Sequence, residues 1–273
     1  MSAESPLQGA MRRKPLSPAE SRAAASAAIK VGAWGLLVFF GTRIASIIFE
    51  SASMPSAVAQ AVLAEWGAGR LGVSWSDPKA KVPTGREIAK RAGAGAAIGA
   101  VIACVFVAFL ATTRAVILDR AHPSGSAIAI ALVTAGFYAM RDELLLHGLV
   151  MRVLVSVESP LPKVIACGLT SAAAAYAEPT ASPQGVVATG LLGIVFGALW
   201  VRDRGAWPAW GAHIAWLFTS SALMQGGVFE ARVLASTWGG GNAGPIGGNA
   251  AIVALAPFAI GAILGITRHG RAA

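Results

Sequence analysis

The chain is 273 residues long, 55% hydrophobic and only 13% charged, with a formal net charge of +9 at pH 7. So little charge excludes a water-soluble globular domain, which carries about 25% charged residues to cover its surface. The basic residues lie in tails and loops rather than on one face, so the excess charge reads as membrane anchoring and not as a nucleic-acid footprint.

Apolar runs of membrane-spanning length recur along the chain, and in lipid only helices or closed barrels satisfy the backbone polar groups of such runs. The runs are continuously apolar rather than alternating, which excludes a porin-type barrel. The expected fold is all-α, a polytopic transmembrane bundle of about seven to eight helices, placed in the cell (inner) membrane. The 32 glycines fit it, because small residues let transmembrane helices approach closely.

In chain order, residues 1–28 read as a flexible basic tail in which Arg12, Arg13, Lys14 and Arg22 are retention charges. They lack the apolar core of a cleavable signal peptide, so the first span is expected to act as an uncleaved anchor. Residues 29–267 are read as a single transmembrane helical domain, followed by a short tail, 268–273. Spans are expected at about 29–49, 92–113, 125–141, 163–177, 184–201, 207–225 and 249–267. The stretch 141–157 keeps helical patterning but carries charge, and whether it forms its own span decides between seven and eight. The segment 50–90 reads as a loop with a short interfacial helix around 56–68, near Trp66. Pro160, Pro162, Pro179 and Pro183 break the chain between spans. Gly190, Gly193 and Gly197 give the 184–201 span a small-residue face, and the glycine-rich stretch 239–248 is a loop. Cys104 and Cys167 both fall in apolar runs and read as packing residues rather than a disulfide.

An ionisable side chain inside an apolar span is expensive to bury, so it marks a functional site by default. Four places qualify. In the run RDELLLH, Glu143 and His147 lie four residues apart on one helix face, with Asp142 beside them. A carboxylate next to an imidazole suits the activation of water. Glu178 ends the 163–177 span, and His213 lies deep in the 207–225 span within AWGAHIAWLF. Arg202, Asp203 and Arg204 fall between spans and read as a solvated turn. Each candidate has a plainer alternative. Asp142 and Glu143 can pair with Arg141 at the membrane interface, Glu178 can be a helix-end residue, and His213 can bond a backbone carbonyl. Trp200, Trp207, Trp210 and Trp216 read as interface anchors and packing, and His122 and His269 receive no role.

These residues resemble the CPBP intramembrane proteases, a family that includes type II CAAX prenyl endopeptidases and bacteriocin-processing or immunity proteins. The family's first motif pairs two acidic residues with an Arg and usually a Gly; RDELLLHGLVMR offers Asp142 and Glu143, with His147 in place of the Arg, then Gly148. For the second motif, an aromatic followed by a His, SAAAAYAEP offers Ala174 and Glu178. For the last, GIVFGALWVRDRGAWPAWGAH places His213 at the final histidine, while the usual Asn four residues on is Leu217. The resemblance covers about 125–225 and implies an intramembrane endopeptidase acting on a peptide at the membrane. It implies Glu143 as the base that activates water, tuned by Asp142 and His147, and His213 as donor to the developing oxyanion. The departures leave two outcomes: a rearranged polar site that includes Glu178, or a catalytically degenerate scaffold or immunity-type binding protein. No cofactor is implied. Two imidazoles and carboxylates leave a divalent metal as a minor branch, without an HExxH motif. A proton-coupled transporter would use the same buried groups, but no internal repeat supports one.

Overall fold

Long apolar runs bounded by Pro, Ser and Thr form helices wherever backbone groups must be satisfied within the segment. A computed structural model describes residues 17–49, 53–76, 82–224, 229–234 and 237–272, and among them eight helical rods account for nearly all regular structure. Helix α1 spans Pro18–Ile48, α2 Ser53–Arg70 and α3 Gly85–Thr112. Helix α4 (Gly125–Asp142) runs without a break through a π-helical segment, Glu143–Gly148, into α5 (Leu149–Val153), forming one rod. Then follow α6 (Pro160–Tyr176), α7 (Pro183–Asp203), α8 (Trp207–Leu217) with a second π segment, Phe218–Leu223, and α9 (Asn249–Ala272). Polar side chains cap several helix starts. Thr84 and Glu87 form a reciprocal capping box on α3, and Ser124 and Ser182 cap α4 and α7.

The all-α bundle expected from composition is the observed fold. Among the described residues four helices, Ala25–Ile48, Gly85–Thr112, Pro183–Asp203 and Asn249–Arg268, are long and apolar enough to cross a membrane. Large apolar side chains such as Leu36, Leu37, Phe40, Ile44 and Ile47 face outward along α1, as lipid contact requires. The protein is a multi-pass membrane protein.

Several local expectations change. Helix α1 begins at Pro18, within the segment read as a tail, while Arg12, Arg13 and Lys14 lie outside the described residues. The charged stretch after Arg141 is not a separate span but the continuation of the 125–141 helix to Val153. Helix α2 is longer than the interfacial helix expected, and its face of Ser56, Ala57, Gln60, Ala61 and Ala64 is buried where it packs against α1 and α4. A two-stranded antiparallel ribbon, β1 (Val116–Arg120) with β2 (Phe229–Val233), was not signalled by any alternating pattern. The tail expected at 268–273 continues α9 as far as Ala272.

Small residues set the close approaches. The face of Gly190, Gly193 and Gly197 on α7 meets α6, where a Cβ at Gly193 would lie 2.4 Å from Ser171 Oγ and one at Gly197 2.6 Å from Cys167 Cβ. Helix α8 lies against α3 with backbones nearly touching. A Cβ at Gly99 would lie 2.2 Å from the Ala212 carbonyl oxygen, and one at Gly95 1.9 Å from that of Pro208. Phe106, Phe196, Trp200, Trp216 and Leu255 fill the core that α3, α7, α8 and α9 share.

Because Gly99 abuts the residue before His213, Gly99→Leu is expected to force α8 away from α3 at an overpacking cost of about 1–3 kcal/mol. Gly261→Ala on α9, where a Cβ meets nothing within 4 Å, should not destabilise the protein. Thermal unfolding in detergent checks both; a Gly99→Leu midpoint equal to that of the parent contradicts the close packing.

Candidate active site

The site grows from Glu143, the first residue of the π segment. Its side chain has no solvent exposure, and its neighbours Leu144 and Leu145 are buried apolar residues. A buried carboxylate is tolerated only when its oxygens are hydrogen-bonded. Three N–H groups meet this one. His147 Nδ1 lies 2.9 Å from Glu143 Oε2, His213 Nδ1 lies 2.9 Å from Oε1, and the Trp200 indole N–H donates to Oε2. The donors come from the π segment, α8 and α7, so one carboxylate ties three rods together.

The π geometry belongs to the site. At its exit the Leu149 N–H bonds the Leu144 carbonyl, five residues back. Such widened turns are rare and occur frequently at functional sites. A second π segment begins five residues after His213, and there the Met224 N–H bonds the Thr219 carbonyl.

Outward from the carboxylate, each imidazole presents its other nitrogen to a polar partner. His147 Nε2 lies 3.1 Å from Ser171 Oγ on α6, and His213 Nε2 lies 3.9 Å from Asp142 Oδ2. The ring of Phe196 stacks on His213, with centroids 4.5 Å apart and planes 18° apart. Asp142 accepts from Arg141 Nε at 2.6 Å, and Arg141 in turn donates to Gln60 Oε1 on α2. Gln60 is fixed by its own bond to Ser56 Oγ at 2.9 Å. Asp142, Ser171 and His213 line a cavity of about 290 Å³, walled by Phe106, Phe196 and Trp216 and covered by the glycine-rich loop at Ala243–Ile246. Glu143 sits behind that wall.

The structure therefore brings together Asp142, Glu143, His147 and His213, and leaves Glu178 out. Glu178 follows the last residues of α6, its side chain 48% exposed, and forms a bidentate ion pair with Arg43 of α1. The residue of α6 that faces the site is Ser171, two helical turns earlier. Of the tryptophans read as interface anchors and packing, Trp216 is packed on Phe106, while Trp200 is buried and bonded to Glu143. Asp203, read as part of a solvated turn, accepts from Arg91 at 3.3 Å, and Arg204 ends α7 in the left-handed conformation. Among the described residues no group of three or more His, Cys, Asp or Glu side chains is arranged to hold a metal ion. Both nitrogens aimed at Glu143 act as donors to it rather than converging on a common point.

Residues 123–219 match the family model described as type II CAAX prenyl endopeptidase Rce1-like, a stretch running from just before α4 into the second π segment. It contains Asp142, Glu143, His147, Ser171, Trp200 and His213. The match is consistent with a CPBP-family intramembrane protease, as the motifs indicated, and it supports a membrane peptidase at the level of the family. No curated protein matches this chain. No solved structure matches it.

Replacing Trp200 with Phe keeps the ring but removes one of three donors from a buried carboxylate. The expected cost is about 1–3 kcal/mol of stability, read as a lower unfolding midpoint in detergent.

Proposed function

We propose that this protein is an intramembrane endopeptidase of the glutamate-dependent CPBP type, residing in the cell (inner) membrane and hydrolysing a peptide bond of a membrane-associated substrate. One observation carries the reading: a solvent-free carboxylate holds two imidazoles from separate helices, one of them opening on a cavity that also exposes Asp142.

Glu143 is walled off from the cavity and already accepts three N–H groups, so it serves as the positioning anion and activates water through His213. With Nδ1–H directed at Glu143, His213 Nε2 carries a free lone pair on the cavity side. The 3.9 Å between Nε2 and Asp142 Oδ2 is too long for a direct hydrogen bond and is a span that a water bridges. Water held there loses a proton to Nε2 as its oxygen attacks the carbonyl carbon. The imidazolium that forms lies against Glu143 and returns the proton to the departing amine nitrogen. General base catalysis of this kind contributes about 10² to 10⁴-fold. Arg141, fixed by Gln60, holds the Asp142 carboxylate in register.

Glu143→Gln keeps the shape of the side chain but removes the charge that orients both imidazoles. Cleavage of a membrane-reconstituted peptide substrate should fall at least about 100-fold while the protein still inserts. Glu178→Gln, on the outer ion pair with Arg43, should cleave at the parent rate. Equal processing by Glu143→Gln rejects the mechanism and favours a scaffold or immunity-type binding protein.

A further inference from the structure

Helices α3, α7 and α9, three of the four long apolar rods, part to leave an apolar groove of about 660 Å³. Ile98 and Val101 of α3, Leu199 of α7 and Phe258 of α9 wall it. Gly261 and Gly265 of α9 leave it open, since a Cβ at either would meet nothing within 4 Å. Among the described residues none lines both this groove and the cavity of Asp142 and His213, so the two hollows are separate. One end of the groove is basic. Arg202 and Arg204 stand there, and Arg204, Pro160 and Val201 also wall a second hollow of about 380 Å³. Arg152 and Lys163 line that second hollow, and the carboxylate on its wall is Glu158 alone. Asp203 sits between the two arginines in sequence, but its carboxylate accepts from Arg91 of α3.

We propose that this face of the bundle binds one anionic phospholipid, its acyl chains in the groove and its phosphate in the adjoining basic hollow. An apolar trough that runs into a cluster of cations matches a molecule with uncharged tails and a compact anionic head. Guanidinium groups present forked donors to phosphate oxygens, and basic pockets between transmembrane helices bind anionic headgroups. Bulk lipid filling a crevice between helices would need the apolar walls but not the cations. Arg204 belongs to both hollows and so marks the junction of head and tails. Trp200 and Gly148 line the headgroup hollow from the protein side, so the lipid lies behind the indole that donates to Glu143. The binding itself does not depend on the reading of the protein as a peptidase.

The test titrates the delipidated full-length protein in detergent with dioleoyl phosphatidylglycerol, dioleoyl phosphatidylcholine or glycerol 3-phosphate, and counts bound molecules by native mass spectrometry. The expected result is one phosphatidylglycerol per chain, held at least about 10-fold tighter than phosphatidylcholine, with no retention of glycerol 3-phosphate. Each basic side chain near a headgroup contributes about five-fold. Lys163→Gln with Arg204→Gln should therefore weaken phosphatidylglycerol at least about 10-fold and leave phosphatidylcholine unchanged. Gly261→Leu, which fills the groove, should weaken both lipids at least about five-fold. Equal affinity of the parent protein for the two lipids overturns the assignment, whether or not any variant folds. Retention of glycerol 3-phosphate as tightly as phosphatidylglycerol also overturns it, because the ligand is then a free phosphate ester. Parent-like phosphatidylglycerol binding by the double variant overturns the placing of the headgroup.

Discussion

Everything in this protein's candidate site depends on keeping a carboxylate where no solvent reaches it. In an apolar bundle, a charge without partners costs several kcal/mol and drives the group to neutralise or the helix to move. Glu143 has no exposed surface, and the three N–H groups that meet it come from separate rods. Its position therefore fixes theirs. The two imidazoles are oriented by the same anion, and their remaining nitrogens point to Ser171 on one side and towards Asp142 on the other.

The helices reach this point because small residues allow it. Glycines on α7 let α6 come near enough to place Ser171 beside His147, and Gly95 and Gly99 seat α8 against α3 just ahead of His213. Tight packing gives the precision that a hydrogen-bonded site requires, since close-packed helices shift in steps rather than continuously. The π segment follows the same logic. It widens one turn at Glu143 and changes the angular relation between the residues that follow and those of α4. A second layer, running from Ser56 through Gln60 and Arg141 to Asp142, anchors the site to α2.

Much of the fold and half of the site were legible in the sequence, for definable reasons. Apolar runs too long for a soluble core announced the bundle, and Glu143, His147 and His213 stood out because charge inside such runs is expensive. The glycine face of α7 was legible by its spacing of three and then four residues. Glu178 misled because it shares the sequence signature of a buried acid, whereas α6 ends at Tyr176 and the side chain turns outward to Arg43. Ser171 carried no signal, since an uncharged serine among alanines reads as packing. Trp200 was hidden by the preference of tryptophan for membrane interfaces, and Gln60 by its place in a short helix read as lying at the interface. The β1–β2 ribbon pairs segments more than a hundred positions apart, which no local pattern reports.

The shared carboxylate can be observed without any substrate. The chain has four histidines, two of which, His147 and His213, face Glu143 through Nδ1. In ¹⁵N-imidazole NMR of histidine-labelled protein in micelles near neutral pH, with assignment by single substitution, these two are expected as fixed Nδ1–H tautomers. Glu143→Gln should release both at once. Two freely exchanging imidazoles in the parent protein, or release of one without the other, would contradict a single anion ordering the site.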